Sequence, residues 1–283
     1  MPKSQKTPVI ERIFDLLYNA STGTLSRTVV TATDIQQAKQ WCNSNLATTI
    51  KTDTNPSNFM KDIVRSRSAM ERIWPERVRN LGWTGTQYTG DGNLLEFIPY
   101  VEGEAEIDYK PTAATPIFEV QSLSLPLASK ALGRKDEPWL LQVAVNLRVI
   151  ETHFAVGENR QIEALELNHL QMDIKLRKVQ IDALFLAKRS MEDSDAHESV
   201  LITVEAKQEK ERILIEQIAR QVKAAFASTH NELVIPTAIV GIRKKGIYVV
   251  EFKAVHRSDI GSFTSPEFHR EAMFILKPAV QGI

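Results

Sequence analysis

An acidic residue followed two positions later by lysine is the pattern in this sequence whose residue types could perform chemistry. Four such triplets occur, at residues 108–110, 173–175, 205–207 and 251–253. In a β-strand, residues two apart point to the same face, so the carboxylate and the ammonium group would project together. A carboxylate can bind a divalent cation, and an ammonium group can act on a water or an anion beside it. The surroundings of each triplet must decide which one does so.

The context of Glu205-Ala206-Lys207 distinguishes it from the other three triplets. It ends the apolar run 200–204, and it alone is followed at once by an amphipathic helical pattern. Across one polar loop lies a second strand pattern, 179–185, in which Asp182 interrupts apolar neighbours. If the two strands pair, Asp182 and Glu205 converge as cross-strand neighbours about 5 Å apart. The alternative is an ion pair between Asp182 and Lys207 on a solvated sheet face.

Two converging carboxylates repel each other unless a cation lies between them. Mg²⁺ takes one or two carboxylates and completes its octahedron with water and phosphate oxygens. Lys207 beside such an ion would orient or deprotonate the attacking water, or stabilise the transition state by its charge. The sequence therefore predicts Mg²⁺ as the cofactor and hydrolysis of a phosphodiester bond as the reaction.

Three segments together, residues 180–185, 204–208 and 213–222, resemble the PD-(D/E)xK nuclease superfamily, particularly its restriction endonuclease-like members. The resemblance covers about residues 137–255. It implies an α/β fold with a mixed β-sheet flanked by helices. Ile181 stands where the family motif has proline, a departure that leaves the metal ligands untouched.

The resemblance also implies roles for individual residues. Asp182 and Glu205 would bind the metal, and Lys207 would act at the water. Many members add an acid from the helix before the first core strand. Glu151 is the first candidate for this third metal ligand, and Glu137 is the second.

Polar residues of the following helix suggest further contacts. Gln217 and Gln221, one helical turn apart, resemble glutamines that some members place near the DNA backbone. The alternative is that they are exposed polar residues of an amphipathic helix. The turn 243–246 would contact phosphate or be a solvated hairpin turn. The six histidines form neither an HxH nor an HExxH arrangement, which leaves histidine-based metal chemistry without support.

The N-terminal region, residues 1–110, carries three helical patterns followed by a hairpin pattern at 83–101. The second helix has Thr33 or Asp34 as its expected N-cap, and the third begins near Pro56. Three short helices followed by a hairpin resemble a winged-helix module, in which one helix enters the major groove of DNA. The alternative is a small helical domain whose basic residues are only solvated.

The charge of residues 1–80 favours contact with DNA, whereas residues 90–120 are acidic. The polar side of the third helix carries Lys61, Arg65 and Arg67, which we expect to contact phosphates. Residues 1–80 hold 12 Lys and Arg against 7 Asp and Glu, although the net charge of the whole chain is zero.

Residues 111–136 are rich in Pro, Ala, Thr and Ser and predict a linker. The nuclease domain is expected over residues 137–283. A helix is favoured over 139–153, and the clearest helix spans 209–226. Strand patterns cover 162–170, 178–187, 200–206, 233–242 and 247–253. Strands mixed with helices in this order predict a mixed sheet covered by helices.

Composition bounds the class of protein. Cys42 is the only cysteine, so no intrachain disulfide can form. No run of about 20 apolar residues could span a bilayer, which predicts a cytoplasmic protein without a membrane partner.

The expected function is site-specific, Mg²⁺-dependent cleavage of double-stranded DNA by a type II restriction enzyme. Because each chain has one catalytic set, cutting both strands favours a homodimer. A cognate DNA methyltransferase is a further expected partner. Two alternatives stay open: a structure- or damage-directed repair nuclease, and a non-catalytic DNA-binding protein.

Overall fold

A computed structural model describes residues 4–46, 48–52, 56, 63, 70, 72–86, 93–100, 109–191 and 196–283. The chain divides into two compact units, residues 1–107 and 108–283. Most of the predicted third helix lies outside the described residues, as does the turn of the predicted hairpin. No helix in the described parts of the chain has the length and apolar character needed to cross a membrane.

The N-terminal unit combines helices with a small antiparallel sheet. Its elements are α1 (Lys6–Leu17), β1 (Tyr18–Asn19), β2 (Thr24–Leu25), β3 (Val29–Thr31), α2 (Ala32–Asn45), α3 (Glu76–Asn80), β4 (Trp83–Thr86) and β5 (Asn93–Pro99). The sheet has the order β3-β5-β4, and β4 with β5 forms the predicted hairpin. Helix α1 buries one apolar stripe, and its Phe14 packs edge-on against Phe97 of β5 at 5.5 Å.

Helix α2 begins two to three residues earlier than the sequence predicts. Its N-cap is Thr31, not Thr33 or Asp34. The Thr31 hydroxyl accepts from the Asp34 N–H at 3.2 Å, and the Asp34 carboxylate accepts from the Thr31 N–H at 2.7 Å. Asp34 is therefore the third residue of a capping box rather than the cap itself.

The C-terminal unit is an eight-stranded mixed sheet with helices on both faces, as the α/β prediction requires. Its strands are β6 (Ile117–Gln121), β7 (Ala164–Leu176), β8 (Val179–Ser190), β9 (His197–Gln208), β10 (Leu233–Ile242), β11 (Gly246–Phe252), β12 (Val255–His256) and β13 (Phe268–Lys277). Its helices are α4 (Leu127–Ala131), α5 (Glu137–Asn146), α6 (Val149–Ala155) and α7 (Ile215–Ser228). The strand order is β6-β13-β11-β10-β9-β8-β7, and β12 pairs with β10. Only the pairs β9 with β10 and β13 with β6 are parallel.

The two faces of this sheet bury different helices. Ile202 of β9 belongs to the core formed with α5 and α6, whereas its neighbour Leu201 packs in a cluster with Val222 of α7. Neighbouring strand residues point to opposite faces, so one strand serves both cores. The helix predicted over 139–153 is confirmed as α5 and α6, which are separated at Arg148 by a backbone φ of 51°.

The segment 111–136 is not the linker that its prolines suggest. It contributes β6 and α4 to the C-terminal unit. Pro116 directly precedes β6, where a missing N–H costs no ladder bond, and its carbonyl accepts from the Met273 N–H at 2.8 Å. Proline thus borders an edge strand here instead of preventing one.

Helix α7 connects the parallel strands β9 and β10 and starts at Ile215, six residues later than predicted. The chain first makes a turn, in which the Glu211 side chain accepts from the Gln208 N–H at 2.9 Å. Ile213 and Leu214 then follow in non-helical conformation and are buried. Burial of these two apolar side chains outweighs their helical spacing.

The turn between β10 and β11 contains residues 243–245 and ends at Gly246. Gly246 has a φ of 145°, which side chains rarely tolerate. A Cβ atom there would lie 2.0 Å from the main-chain oxygen of Phe274 on β13. Only glycine allows β11 to begin so close to its neighbour.

Candidate catalytic site

Asp182 lies where the ladder between β8 and β9 ends. The last paired residues are Ala183 and Val204. One step further, the Oδ2 atom of Asp182 accepts a hydrogen bond from the Ala206 N–H at 2.8 Å. The side chain therefore takes the position of a main-chain partner, which brings its carboxylate against the Glu205-Ala206-Lys207 segment.

Glu205 is fully buried and is held by amides of α7. Its Oε1 atom accepts from Gln217 Nε2 at 2.6 Å, and its Oε2 atom accepts from Gln221 Nε2. Residues four apart lie on the same side of a helix, so both amides reach the same carboxylate. Gln221 also donates to the main-chain oxygen of Gln180 at 3.1 Å.

The positions of the two glutamines bear on the predicted DNA contacts. Gln221 has no exposed surface and Gln217 is half-buried. For Gln221, orientation of the Glu205 carboxylate replaces the predicted contact with the DNA backbone. Gln221 is polar because it donates to the buried Glu205 carboxylate, and not because it lies on a solvated helix face.

Lys207 is buried between acidic groups. Its Nζ atom donates to Glu205 Oε1 and lies 4.0 Å from Glu137 Oε1. Burial opposes the charged form, but the charges of Glu205, Glu137 and Asp182 and the hydrogen bond to Glu205 outweigh it, so the pKa of Lys207 is raised. Lys207 is therefore an ammonium ion at neutral pH.

The third acid near this cluster is Glu137, the second of the two predicted candidates. Asp136 caps α5 by accepting from the Trp139 N–H at 3.0 Å, which sets Glu137 in the first turn near Lys207. Glu151, the first candidate, instead lies 3.7 Å from Arg148. From the sequence alone, only the recognition of Asp136 as the N-cap of α5 could have ranked Glu137 ahead of Glu151.

Asp182, Glu205 and Lys207 bring two carboxyl groups together with one ammonium group. Burial and the nearby charge of Glu205 raise the pKa of Asp182 to about 7, although the Ala206 N–H and Lys207 act in the opposite direction. Lys207 thus offsets only part of the repulsion between the carboxylates. A further cation would relieve the rest.

The donor set fits Mg²⁺ bound by two carboxylates. Within the described residues, no group of three or more His, Cys, Asp or Glu side chains is arranged to hold a metal ion. Mg²⁺ needs no such group, because it keeps several waters and uses one or two carboxylates. The Oδ1 atom of Asp182 accepts no hydrogen bond from any described residue, which leaves it for a ligand.

The competing triplet at Glu251 has a different environment. Glu251 is buried, and its oxygens lie within 2.7 Å of His153 Nε2, 2.6 Å of Arg270 Nε and 2.6 Å of Gln161 Nε2. Burial alone would raise the pKa of Glu251, but His153, Gln161 and Arg270 outweigh it and lower that pKa. Lys253 pairs with the exposed Glu267 at 2.6 Å. This acid and lysine do not meet, and Glu251 already has its charge balanced.

The structure describes only some of the remaining predicted positions. Asp173 is exposed and accepts from Gln180 Nε2 at 2.8 Å. The first residue of the triplet at 108–110 lies outside the described residues. Lys61, Arg65 and Arg67 also lie outside them, so their expected DNA contacts stay predictions.

The chain matches no known family model, no curated protein and no solved structure. A function can therefore be inferred only from the chemistry of the cluster itself. Two carboxylates with excess negative charge can hold a hard cation, and a permanent ammonium ion beside them can stabilise an anion.

Proposed function

We propose that this protein is a Mg²⁺-dependent nuclease that hydrolyses phosphodiester bonds of double-stranded DNA. The observation that supports it is the convergence of Asp182, Glu205 and Lys207 from two strands, with a net excess of carboxylate. Among the triplets whose acid the structure describes, the one other buried carboxylate is that of Glu251, and its charge is balanced by Arg270.

Asp182 and Glu205 would hold the ion, which when bound supplies an activated water and polarises a phosphoryl oxygen. Gln217 and Gln221 hold Glu205 in one orientation, so the ligand is positioned before the ion arrives. The raised pKa of Lys207 favours its ammonium form, which would stabilise negative charge that develops on the phosphate.

The proposal extends to the architecture of the whole chain. The helices and hairpin of the N-terminal unit, with the excess of Lys and Arg over residues 1–80, are consistent with a winged-helix-like DNA-binding domain. A restriction endonuclease-like core that cuts DNA, in one chain with a unit that binds it, suits a type II restriction enzyme. With one catalytic set per chain, a homodimer would cut both strands. A cognate methyltransferase and a cytoplasmic location are part of the same proposal.

The decisive experiment is incubation of the purified protein with plasmid and phage DNA in Mg²⁺, followed by sequencing of the ends. Discrete, recurring ends are expected, and Asp182→Asn protein serves as the inactive control. Cleavage only at junctions, flaps or lesions would favour a repair nuclease. Absence of cleavage of any DNA by the folded wild-type protein would remove the proposal.

A further inference from the structure

The turn between β10 and β11 carries three exposed cations without acidic partners. Arg243, Lys244 and Lys245 are consecutive and exposed, and none of them forms an ion pair with any residue that the structure describes. Three adjacent like charges repel each other when solvated. An anionic partner would relieve this repulsion.

This turn lies at the same edge of the sheet as the candidate catalytic site. Strands β9 and β10 are parallel, and Lys207 pairs with Val240. Lys244 follows Val240 by four residues and lies in the turn after β10, so it is less than about 13 Å, the length of four extended residues, from Val240. The two strands therefore deliver the catalytic cluster and the basic turn to one end of the sheet.

A second basic segment reaches this edge from the start of α5. Arg134 and Lys135 directly precede the capped turn that holds Glu137 beside Lys207. Both are exposed, and within the described chain neither forms an ion pair. Residues 281–283 connect the two segments.

The connection is made by main-chain contacts. Trp139 Nε1 donates to the Gln281 oxygen at 2.8 Å, and the Lys244 N–H donates to the Ile283 oxygen at 3.0 Å. Gly282 packs on the main chain of Arg134, since a Cβ at Gly282 would lie 1.9 Å from the Arg134 oxygen. The two basic segments thus border one continuous surface.

Cations at the opposite edge of the sheet are different. Arg160 lies 3.6 Å from Glu163, Lys188 lies 3.6 Å from Glu166, and Lys253 lies 2.6 Å from Glu267. These three cations have acidic partners, whereas Arg243, Lys244 and Lys245 form no ion pair within the described residues.

We infer that Arg134, Lys135, Arg243, Lys244 and Lys245, here called the basic edge, bind the phosphate backbone of the DNA duplex beside the cut. The inference rests on the proposed function and names the surface that would position its substrate. A span of less than about 13 Å covers fewer than about four nucleotides of duplex at roughly 3.4 Å each. The basic edge would therefore contact phosphates a few nucleotides from the scissile one.

Binding to a fluorescent DNA duplex, measured by anisotropy over a range of salt concentrations, tests this inference. All proteins carry Asp182→Asn to prevent cleavage during the measurement. Replacing Arg243, Lys244 and Lys245 together with Gln should weaken binding and lower the slope of log K against log salt by up to about 2.7, or 0.9 for each lost contact. The pair Arg134→Gln and Lys135→Gln should lower it by up to about 1.8.

The matched control replaces Arg160, Lys188 and Lys253 with Gln, which removes the same one arginine and two lysines from the opposite edge. Its slope should stay unchanged. Equal loss in both triple variants would show a general charge effect and overturn the inference. If the wild-type protein cuts plasmid in Mg²⁺ but the basic-edge variants keep the full slope, the inference fails while the nuclease proposal stands. If the wild-type protein neither cuts nor binds DNA, both fail.

Discussion

The Oδ2 atom of Asp182 accepts a hydrogen bond from the main-chain N–H of Ala206 at 2.8 Å, directly beyond the last paired residues of β8 and β9. A side chain thus closes the end of this ladder. The Asp182 carboxylate lies against Ala206, the residue between Glu205 and Lys207 in sequence. An otherwise ordinary antiparallel pair of strands thereby acquires a cluster of charged groups. Substitutions in this cluster should therefore affect chemistry, whereas substitutions at the charge-balanced Glu251 should not.

Removing either carboxylate should separate binding from cleavage. In Asp182→Asn and Glu205→Gln, the loss of a metal ligand should reduce plasmid cleavage to background. Each change also removes a negative charge that repels the incoming phosphate, so affinity for DNA should persist or increase. Cleavage rates and anisotropy, measured on the same preparations, check both statements. Normal cleavage by Glu205→Gln would show that the wrong strand has been assigned.

Replacing Glu251 should harm the fold and not the chemistry. Glu251→Ala leaves Arg270 and His153 without their buried partner, and breaking a buried ion pair costs about 3–5 kcal/mol. Denaturant unfolding should show this loss, whereas the less disruptive Glu251→Gln should keep Mg²⁺-dependent cleavage in the folded protein. Loss of all cleavage in folded Glu251→Gln would contradict the choice of Glu205.

Lys207→Met should slow the chemical step. The structure keeps this lysine as an ammonium ion, so its loss should reduce the single-turnover rate by about 10²- to 10⁴-fold. Binding of DNA and Mg²⁺ should change little by comparison. Lys207→Arg, which keeps the charge, serves as the control and should recover part of the rate. A rate that is unchanged in Lys207→Met would remove the lysine from the mechanism.

Gln221 should act as a positioning residue for Glu205. Gln221→Leu removes the amide donor to Glu205 and to Gln180, which leaves buried acceptors unsatisfied at a cost of about 1–3 kcal/mol each. Loss of a group that orients a metal ligand should also weaken the dependence on Mg²⁺ by about 10- to 100-fold. The Mg²⁺ concentration at half-maximal rate measures this effect. The exposed Gln171→Leu should leave both stability and Mg²⁺ dependence unchanged.

The raised pKa of Asp182 predicts how pH changes the stability without metal. In the folded protein this pKa is about 7, against a usual value of 3.8. Between these two values the folded state holds the proton that the unfolded chain has lost, so the contribution of Asp182 to stability falls as pH rises and is lost above about pH 7. Thermal unfolding in EDTA should show this fall, and Asp182→Asn should flatten it.

Mg²⁺ should reverse the same trend. The ion binds the ionised carboxylates, so its addition should raise the melting temperature more at pH 8 than at pH 5.5. An equal rise at both pH values would mean that Asp182 is not a ligand.

The residues of the candidate site could be brought together from the sequence because their signals are local. Asp182 interrupts a run of apolar strand residues, and Glu205 with Lys207 ends another such run before a helix. These patterns need no knowledge of distant contacts. The sequence also indicated a mixed α/β sheet, since most strand patterns and the helix over 139–153 agree with the structure.

Features that depend on distant contacts could not be found in this way. Strand β13 and its parallel partner β6 are distant in sequence and adjacent in the sheet, so nothing near 117–121 distinguishes a strand from a linker. Glu137 precedes Glu151 in the chain by 14 residues, and only the packing of α5 against β9 shows which of them approaches Lys207. Gln221 similarly looks like a surface residue until its partner, the buried Glu205, is known.

The crowded position of Gly246 has a consequence for how this sequence can diverge. The three basic residues before it are exposed, so Arg and Lys can exchange there without a steric conflict, and at Lys244, where φ is 62°, Gly or Asn would also fit. Gly246 cannot change, because any side chain would collide with the main chain of Phe274. Among relatives that share this fold, we therefore expect an invariant glycine preceded by a rapidly varying tripeptide, and the charge of that tripeptide would then record what each relative binds.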